Sequence, residues 1–344
     1  MKFGISVGHS GAHMSLPIKR IQRAEELGFD SVWASETYSS DAVTPLAYIA
    51  ALTKKIRLGT GIAQLAARTP ANMAMCAQTI DALAGGNRMI VGIGVSGPQI
   101  VEGWYGQPWG KPNHRLRDYV TIMKKIWKRD GPVAYEGKEI SLPYKGPGAT
   151  GLGKPLKSVM HGNPHIPVFL GTATPMNVRM TAEVADGWIG MHLTPHTVKD
   201  YVPIIEEGLA RRTDGKTLKD FVLRGTLSVY VDNDVKSAIN AVKPHVALYA
   251  GGMGAKDKNF HKDAMIQRGF KDAAERIQEL FLAGRKDEAA AAVPDEYIDD
   301  ETLIGPPERI KQRWKLWRDS GLNMMTFVQP SDETLELLGT LPRD

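Results

Sequence analysis

Short runs of apolar and β-branched residues recur along the chain, separated by segments whose apolar positions follow a helical spacing. We predict eight strands from these runs, at residues 2–7, 30–35, 56–63, 88–95, 166–171, 187–193, 221–231 and 323–328. Most of these strands precede a predicted helix. An α/β chain with this rhythm predicts a (β/α)8 TIM barrel, with a doubly wound open sheet as the alternative.

Two stretches interrupt the alternation of strands and helices, at residues 131–165 and 251–304. Both are longer than ordinary connections, so we interpret them as insertions. The sequence contains no linker rich in proline or serine that would divide the chain. We therefore expect residues 1–344 to form a single barrel domain with two insertions.

Several predicted helices have recognisable first residues. Thr69 and Thr174 each stand directly before a proline, and this pairing suits an N-cap followed by the first helical position. Ser15 precedes a helical pattern that stops at Gly28, so we expect a helix to open near Ser15.

The composition is that of a globular protein, with 42% hydrophobic and 24% charged residues. Cys76 is the single cysteine, which excludes a disulfide framework within the chain and suits a reducing compartment. No apolar stretch approaches the roughly 20 residues that span a bilayer, and the N-terminus lacks the apolar region of a signal peptide. We expect a cytoplasmic protein without a membrane partner.

The charge is distributed unevenly between the two halves of the chain. Residues 1–172 carry 20 basic and 11 acidic residues, or +9, whereas residues 173–344 carry 23 and 27, or −4. A basic half could attract a nucleic acid or a phosphorylated ligand. Because the aromatic residues are not interleaved with the basic ones, we expect no nucleic-acid partner.

Three motif-like stretches are poor matches to the sites they imitate. Gly92–Gly97 reads G-x-G-x-x-G, but its first two glycines fall inside a predicted strand, where they permit close approach of a ligand or a neighbouring backbone. Gly148–Lys154 imitates a phosphate loop, but Pro155 occupies the Ser/Thr position. His161 and His165 are four residues apart, which on a helix would suit a metal, but Pro164 between them argues against a helix. We therefore expect no metal site.

Two strand ends favour a site. Gly171-Thr172-Ala173-Thr174 joins the fifth strand to a helix N-terminus, where free backbone N–H groups and the helix dipole favour an anion. Glu36 and Thr37 close the second strand. In a barrel both places lie at the catalytic end of the strands.

Five segments of the chain resemble the bacterial luciferase-like superfamily, and within it the coenzyme F420-dependent reductases, including methylene-tetrahydromethanopterin reductases. They occur in the family's order over nearly the whole chain, at residues 24–38, 56–74, 88–98, 166–188 and 304–328. The resemblance implies a luciferase-like TIM barrel that binds its cofactor at the C-terminal ends of the strands, and a homodimer.

The resemblance also implies the positions of site residues. A non-prolyl cis peptide at Gly61-Ile62, beside Ala63, would support the deazaflavin ring, and the turn at 171–174 would contact the phosphate. The remaining cofactor positions are Thr37, Ser96, Gly97 and Met191. Many relatives have Asp-His where this chain has Glu36-Thr37, so the family's histidine is absent and Glu36 keeps only the carboxylate.

These observations lead to one functional hypothesis and two alternatives. We expect an enzyme that moves a hydride between coenzyme F420 and a small organic substrate, with Glu36 and His9 as the candidate catalytic residues. The alternatives are an FMN-dependent luciferase-like monooxygenase and a flavin-binding barrel without activity. The candidates for contact with an anionic coenzyme tail are Lys111, Arg115, Lys154 and Lys157.

Overall fold

The structure is a computed structural model that describes residues 1–253 and 259–344. Residues 254–258, which belong to the predicted 251–304 insertion, lie outside the described residues. The described strands are β1 (Lys2–Gly8), β2 (Ser31–Ala34), β3 (Arg57–Thr60), β4 (Ala63–Gln64), β5 (Met89–Gly94), β6 (Tyr135–Glu136), β7 (Ser141–Leu142), β8 (Val168–Gly171), β9 (Gly187–Ile189), β10 (Val222–Val231), β11 (Thr302–Gly305) and β12 (Met324–Val328).

Helices follow most of the strands. They are α1 (Ile18–Glu26), α2 (Val43–Leu52), α3 (Pro70–Leu83), α4 (Pro98–Val101), α5 (Pro112–Lys128), α6 (Pro175–Val184), α7 (Val198–Leu209), α8 (Val235–Gly252), α9 (Phe260–Gln267), α10 (Lys271–Leu282), α11 (Lys286–Ala291), α12 (Asp295–Glu301), α13 (Pro307–Arg318) and α14 (Asp332–Gly339). A short 3-10 helix, Leu218–Asp220, precedes β10.

Eight of the strands close into a parallel barrel, in the order β1-β2-β3-β5-β8-β9-β10-β12 and back to β1. Each contains or overlaps one of the eight strands predicted from the hydrophobic pattern, so the predicted TIM barrel is confirmed and the open sheet is excluded. The third predicted strand is interrupted, because the chain leaves β3 at Thr60 and pairs with β5 again as β4.

The chain packs into two compact units. The first consists of Met1–Met191, Lys199–Gly225 and Asn323–Gln329 and contains the closed barrel. The predicted 131–165 insertion belongs to it and carries the hairpin β6–β7. The interpretation of residues 1–344 as a single domain with two insertions stays a prediction.

The second unit consists of His192–Val198, Thr226–Leu322 and Pro330–Asp344. In it β11 pairs in parallel with residues 228–231 of β10. Its helices and β11 share a buried core that includes Ile239, Met265, Ile277, Tyr297 and Ile304.

Two of the three predicted helix starts agree with the structure. Thr69 is the N-cap of α3, and its side chain accepts a hydrogen bond from the Asn72 N–H. Thr174 is likewise the N-cap residue of α6, although its side chain makes no capping hydrogen bond. The expectation of a helix opening near Ser15 is wrong, because α1 begins at Ile18 after Pro17. Proline lacks the N–H that a helix interior needs, so it stands at the helix boundary.

Gly92 shows why β5 carries glycines. A Cβ added there would lie 2.0 Å from the carbonyl oxygen of Thr60 on β3, and the Thr60 hydroxyl bonds both the N–H and the C=O of Gly92. We expect Gly92→Ala to lower the free energy of unfolding by about 3 kcal/mol, because a neighbouring backbone has to move. Denaturant titration measures the change.

A matched control for Gly92→Ala is Gly131→Ala, because a Cβ added at Gly131 has no atom within 4 Å. We expect this control to stay within about 0.5 kcal/mol of the wild type. If Gly92→Ala were as stable as the control, the close approach of β3 and β5 would not constrain this position.

Asp186 connects the starts of β8 and β9. Its carboxylate accepts the Val168 N–H at 3.0 Å and lies 3.1 Å from Lys124 Nζ and 2.8 Å from Lys216 Nζ. Burial raises the pKa of Asp186, but Lys124, Lys216 and the Val168 N–H outweigh burial and hold the pKa below its usual range. The carboxylate therefore stabilises the fold above its unfolded pKa, near 3.9.

We expect the stability advantage of the wild type over Asp186→Asn to shrink as the pH falls below about 4. The reason is that protonation of Asp186 removes the same charge as the substitution does. Urea unfolding from pH 7 to pH 2 measures both proteins, with the exposed Asp130→Asn as the control. An advantage that stays constant down to pH 2 would contradict this assignment.

Candidate functional site

The sequence-predicted site residues all lie at or just beyond the C-terminal ends of barrel strands. His9 follows β1, Glu36 and Thr37 follow β2, Gly61 and Ile62 separate β3 from β4, and Ala63 opens β4. Ser96 and Gly97 follow β5, the 171–174 turn completes β8, and Met191 follows β9. Because the strands are parallel, these ends meet at one mouth of the barrel.

Ile62 joins three of the strand ends. The Gly61–Ile62 peptide bond is cis, as the resemblance implies. A Cβ added at Gly94 would lie 3.0 Å from the Ile62 side chain, and one added at Gly171 would lie 3.1 Å from it. Glycine at the ends of β5 and β8 therefore gives Ile62 the space to lie across the mouth.

Glu36 binds the segment that follows Ile62. Its N–H donates to the Ile62 carbonyl at 3.1 Å, and its carboxylate accepts the Gln64 N–H at 2.8 Å and the Arg68 guanidinium at 2.7 Å. The Glu36 side chain is only 3% exposed. Both carboxylate oxygens thus have partners within the protein, and Arg68 also contacts Asp41 at 3.3 Å.

The 171–174 turn presents backbone donors at the start of α6. Thr172 is buried, its hydroxyl contacts the Thr181 hydroxyl at 2.9 Å, and its carbonyl accepts the Trp188 indole N–H at 2.8 Å. Ala173 and Thr174 are exposed, and their N–H groups donate to no other described residue. The turn is therefore rigid on its inner side and has free donors on its outer side.

The other predicted site residues differ in exposure. His9 is exposed, Thr37, Ser96 and Gly97 are half-buried, and Met191 is 44% exposed. Ser96 has a φ of 65°, a left-handed conformation that turns the chain into α4.

The four basic candidates for contact with an anionic tail lie in three different settings. Arg115 already has partners, since it donates to the Pro108 carbonyl at 2.8 Å and lies 3.7 Å from Glu139. Lys154 and Lys157 are exposed. Lys111 lines a groove of about 880 Å³ beside α5 and α6, together with Met176 near the first turn of α6. The other basic residues of this groove are Arg117, Lys138, Arg179 and Arg211.

Sequence reasoning missed two residues inside the barrel, Trp33 on β2 and Arg224 on β10. The Arg224 guanidinium lies 4.0 Å from the centroid of the Trp33 ring. The indole also stacks on Phe169, with 5.9 Å between ring centroids, and donates to the Ser31 hydroxyl at 2.9 Å. A lone arginine within an apolar strand was the signal that could have drawn attention to Arg224.

A family model described as luciferase-like monooxygenase matches residues 4–324. The chain belongs to this family. Among relatives of this luciferase-like chain, a Mycobacterium tuberculosis protein, Rv3520c, whose name describes it as a coenzyme F420-dependent oxidoreductase, is 41% identical over 347 residues, 99% of each chain. The 5,10-methylenetetrahydromethanopterin reductase of Archaeoglobus fulgidus is 27% identical over 344 residues, 98% of each chain.

The fold of the luciferase-like chain is shared with a solved structure. The coenzyme F420-dependent tetrahydromethanopterin reductase of Methanopyrus kandleri matches it with a TM-score of 0.79 and 24% identity, over 98% of this chain and 97% of the other. None of the helices in residues 1–253 and 259–344 combines the length and the hydropathy of a membrane-spanning segment. The same residues contain no group of three or more His, Cys, Asp or Glu side chains arranged to hold a metal ion.

The mouth of this luciferase-like barrel fits a cofactor with a planar ring and a phosphorylated tail. The Ile62 side chain, which occupies the space beside Gly94 and Gly171, gives the mouth an apolar surface that suits a planar ring. The free N–H groups of Ala173 and Thr174 suit phosphate oxygens. The residues present are therefore compatible with either a deazaflavin or a flavin mononucleotide.

Proposed function

We propose that the protein is a coenzyme F420-dependent oxidoreductase that exchanges a hydride with a small organic substrate. The observation that carries this proposal is the 41% identity, over 99% of both chains, to a protein described as a coenzyme F420-dependent oxidoreductase. The geometry of the mouth supports it, because the ring and phosphate positions implied by the resemblance meet at the ends of adjacent parallel strands.

In this proposal the strand ends hold and orient the cofactor. The Gly61–Ile62 peptide supports one ring face, leaving the other face for substrate. The residues assigned to the walls of the site are Thr37, Ala63, Ser96, Gly97 and Met191. The turn at 171–174 holds the phosphate through backbone N–H groups and the α6 dipole.

The anionic tail of the coenzyme extends, in this proposal, towards the groove that contains Lys111. The groove includes Met176, two residues beyond Thr174, so a tail leaving the phosphate turn along α6 reaches basic side chains. Five basic and three acidic residues line it, the acidic ones being Asp118, Glu136 and Glu183. A more strongly anionic tail gains more from this excess than the single phosphate of FMN does.

When bound, coenzyme F420 would supply the acceptor or donor of a hydride from a substrate carbon. Oxidation of the substrate in this way also releases a proton from it, and reduction consumes one. His9, exposed after β1, is the proposed group for this proton. We assign Glu36 a positioning role, because its carboxylate oxygens bind Gln64 and Arg68.

The second candidate function is an FMN-dependent monooxygenase, which the description of the matching family favours. Titration of the protein with coenzyme F420 and with FMN separates the two functions. We expect tight binding of F420 and weak binding of FMN. Tight binding of FMN without measurable affinity for F420 would overturn the proposal.

The phosphate turn is tested with Ala173→Asp, which places a carboxylate beside the free N–H groups. We expect binding of F420 to weaken by about 10-fold or more, because like charges repel at the proposed phosphate position. The matched control is Ala82→Asp, at an exposed position near the end of α3. Equal affinities of the two variants would exclude this turn from the cofactor site.

The homodimer that the resemblance implies stays a prediction. Sedimentation velocity of the protein with and without coenzyme measures its oligomeric state.

A further inference from the structure

Arg224 is a buried arginine beside the apolar cluster of Trp33, Ile90, Phe169, Ile189 and Met324. It is only 3% exposed, and its backbone carbonyl accepts the Gly190 N–H at 3.0 Å. Its Nε donates to the Thr326 hydroxyl on β12 at 2.7 Å, and the central carbon of its guanidinium lies 4.0 Å from the centroid of the Trp33 ring. One edge of the guanidinium is thus held in place by neighbouring barrel strands.

The other edge has no protein partner among the described residues. Neither Nη nitrogen of Arg224 donates a hydrogen bond to another described residue, and no described carboxylate forms an ion pair with it. Some polar side-chain atoms of the described residues are fully enclosed and lack a hydrogen-bond partner, and the Nη nitrogens are not among them. Both nitrogens therefore reach solvent. Burial alone lowers the pKa of Arg224 to about 9, which leaves it a cation at neutral pH.

The unpaired edge lies at the level of the predicted cofactor site. A Cβ added at Gly61 would lie 3.5 Å from Nη2 of Arg224 and 3.2 Å from the Trp33 ring. Gly61 directly follows Thr60, the last residue of β3, at the mouth of the barrel. Nη2 of Arg224 therefore lies beside Gly61, the first residue of the Gly61–Ile62 peptide.

Packing does not account for the charge of this side chain. A buried, unpaired guanidinium is costly, and an apolar side chain of similar length would fill the space against Trp33 without that cost. The contact with the ring face and the Thr326 bond use one of the five N–H groups. A ligand that brings negative charge would satisfy the remaining four.

We propose that Arg224 is an oxyanion-binding residue on the floor of the barrel mouth, and that it receives a negatively charged oxygen from the ligand bound there. The planar fork of its Nη groups suits a carboxylate, or an oxygen that gains charge during the reaction. This inference rests on the proposed function and adds to it a preference for an oxygen-bearing, anionic group beside the reacting atoms.

Two sources can supply such an oxygen. One is the substrate, either through a carboxylate or through a carbonyl oxygen that becomes negative when the carbon receives a hydride. The other is the pyrimidine ring of the coenzyme, which holds additional negative charge after reduction. Both sources bring a negatively charged oxygen to the Nη groups, and the binding experiment distinguishes them.

The experiment measures binding by calorimetry for wild type, Arg224→Met and Arg224→Lys, with three titrants: oxidised coenzyme F420, reduced coenzyme F420 and acetate. The control is Arg57→Met, which removes a guanidinium paired with Asp30 at 2.5 Å at the start of β3. Circular dichroism verifies the fold of each variant. Arg224→Lys keeps the charge without the fork, so it tests the proposal even if Arg224→Met does not fold.

We expect Arg224→Met to weaken the binding of at least one titrant by about 10- to 100-fold. Arg224→Lys should weaken this binding less, and Arg57→Met should leave it unchanged. If only the affinity for acetate falls, the substrate is the source of the charged oxygen. If only the affinity for reduced coenzyme falls, the coenzyme ring is the source. Equal affinities of wild type and both Arg224 variants for all three titrants overturn the proposal. So does a wild type that binds none of them.

Failure of this inference is distinguishable from failure of the proposed function. If the wild type binds coenzyme F420 and the Arg224 variants bind all titrants equally, only the oxyanion role is wrong. If the wild type binds acetate through Arg224 but neither form of the coenzyme, the oxyanion role stands and the coenzyme assignment is wrong.

Discussion

Replacing Glu36 with alanine is expected to lower the free energy of unfolding by about 3 to 5 kcal/mol. The substitution leaves the guanidinium of Arg68, which is only 16% exposed, without its closest carboxylate. It also removes the acceptor of the Gln64 N–H, a buried donor. Asp41 compensates only in part, because it lies at 3.3 Å from Arg68 and already accepts hydrogen bonds from the Val43 and Thr44 N–H groups.

A double-mutant cycle separates the ion pair from the other contacts of Glu36. We expect Glu36→Gln and Arg68→Met to couple by about 1 to 3 kcal/mol in urea unfolding, because each removes the partner of the other. The control is Glu26→Gln, which breaks an exposed pair with Arg23 at 3.0 Å and should cost about 0.5 kcal/mol or less. A coupling energy near zero would show that Glu36 and Arg68 stabilise the protein independently.

The positioning role of Glu36 also has a signature in catalysis. If the carboxylate only holds the 62–64 segment, Glu36→Gln changes the affinity for coenzyme while the pH profile of turnover keeps its shape. If Glu36 transfers the proton, the substitution removes one limb of the pH profile. The two roles therefore give different results in the same variant.

The barrel could be predicted because its strands are continuous apolar runs, which is what burial on both faces requires. The strands outside the ring were missed for other reasons. Strands β6 and β7 contain two residues each, too few to show alternation, and β11 lies at the end of the 251–304 stretch that we interpreted as an insertion. Their pairing depends on partners that the local pattern does not reveal.

The position of the candidate site could be predicted from the sequence, but the contacts between its residues could not. A residue after a barrel strand is placed at the mouth by topology alone, as Glu36 and Met191 were. Its partners are set by contacts between distant segments: Arg68 is 32 residues from Glu36. Arg224 illustrates the same limit, because Thr326, its hydrogen-bond partner, is 102 residues away.

Replacing Trp33 with alanine is expected to cost about 3 to 5 kcal/mol of unfolding free energy. The indole is fully buried, and it occupies space that exists because glycines surround it. A Cβ added at Gly59 would lie 2.3 Å from the Trp33 ring, and one added at Gly4 would lie 3.0 Å from its Nε1. Neighbouring glycines have no side chains that could collapse into the cavity, so the loss falls towards the upper end of this range.

Trp33→Phe should recover part of the loss, because a smaller ring keeps the stacking on Phe169 but not the hydrogen bond to Ser31. The control is Trp104→Ala, since Trp104 is 60% exposed and its removal leaves no enclosed cavity. Unfolding in guanidinium chloride measures the order of stability of the three variants. Equal stabilities of Trp33→Ala and Trp104→Ala would mean that the barrel interior relaxes around the missing indole. Arg224 would then lack the rigid surface that orients its free N–H groups.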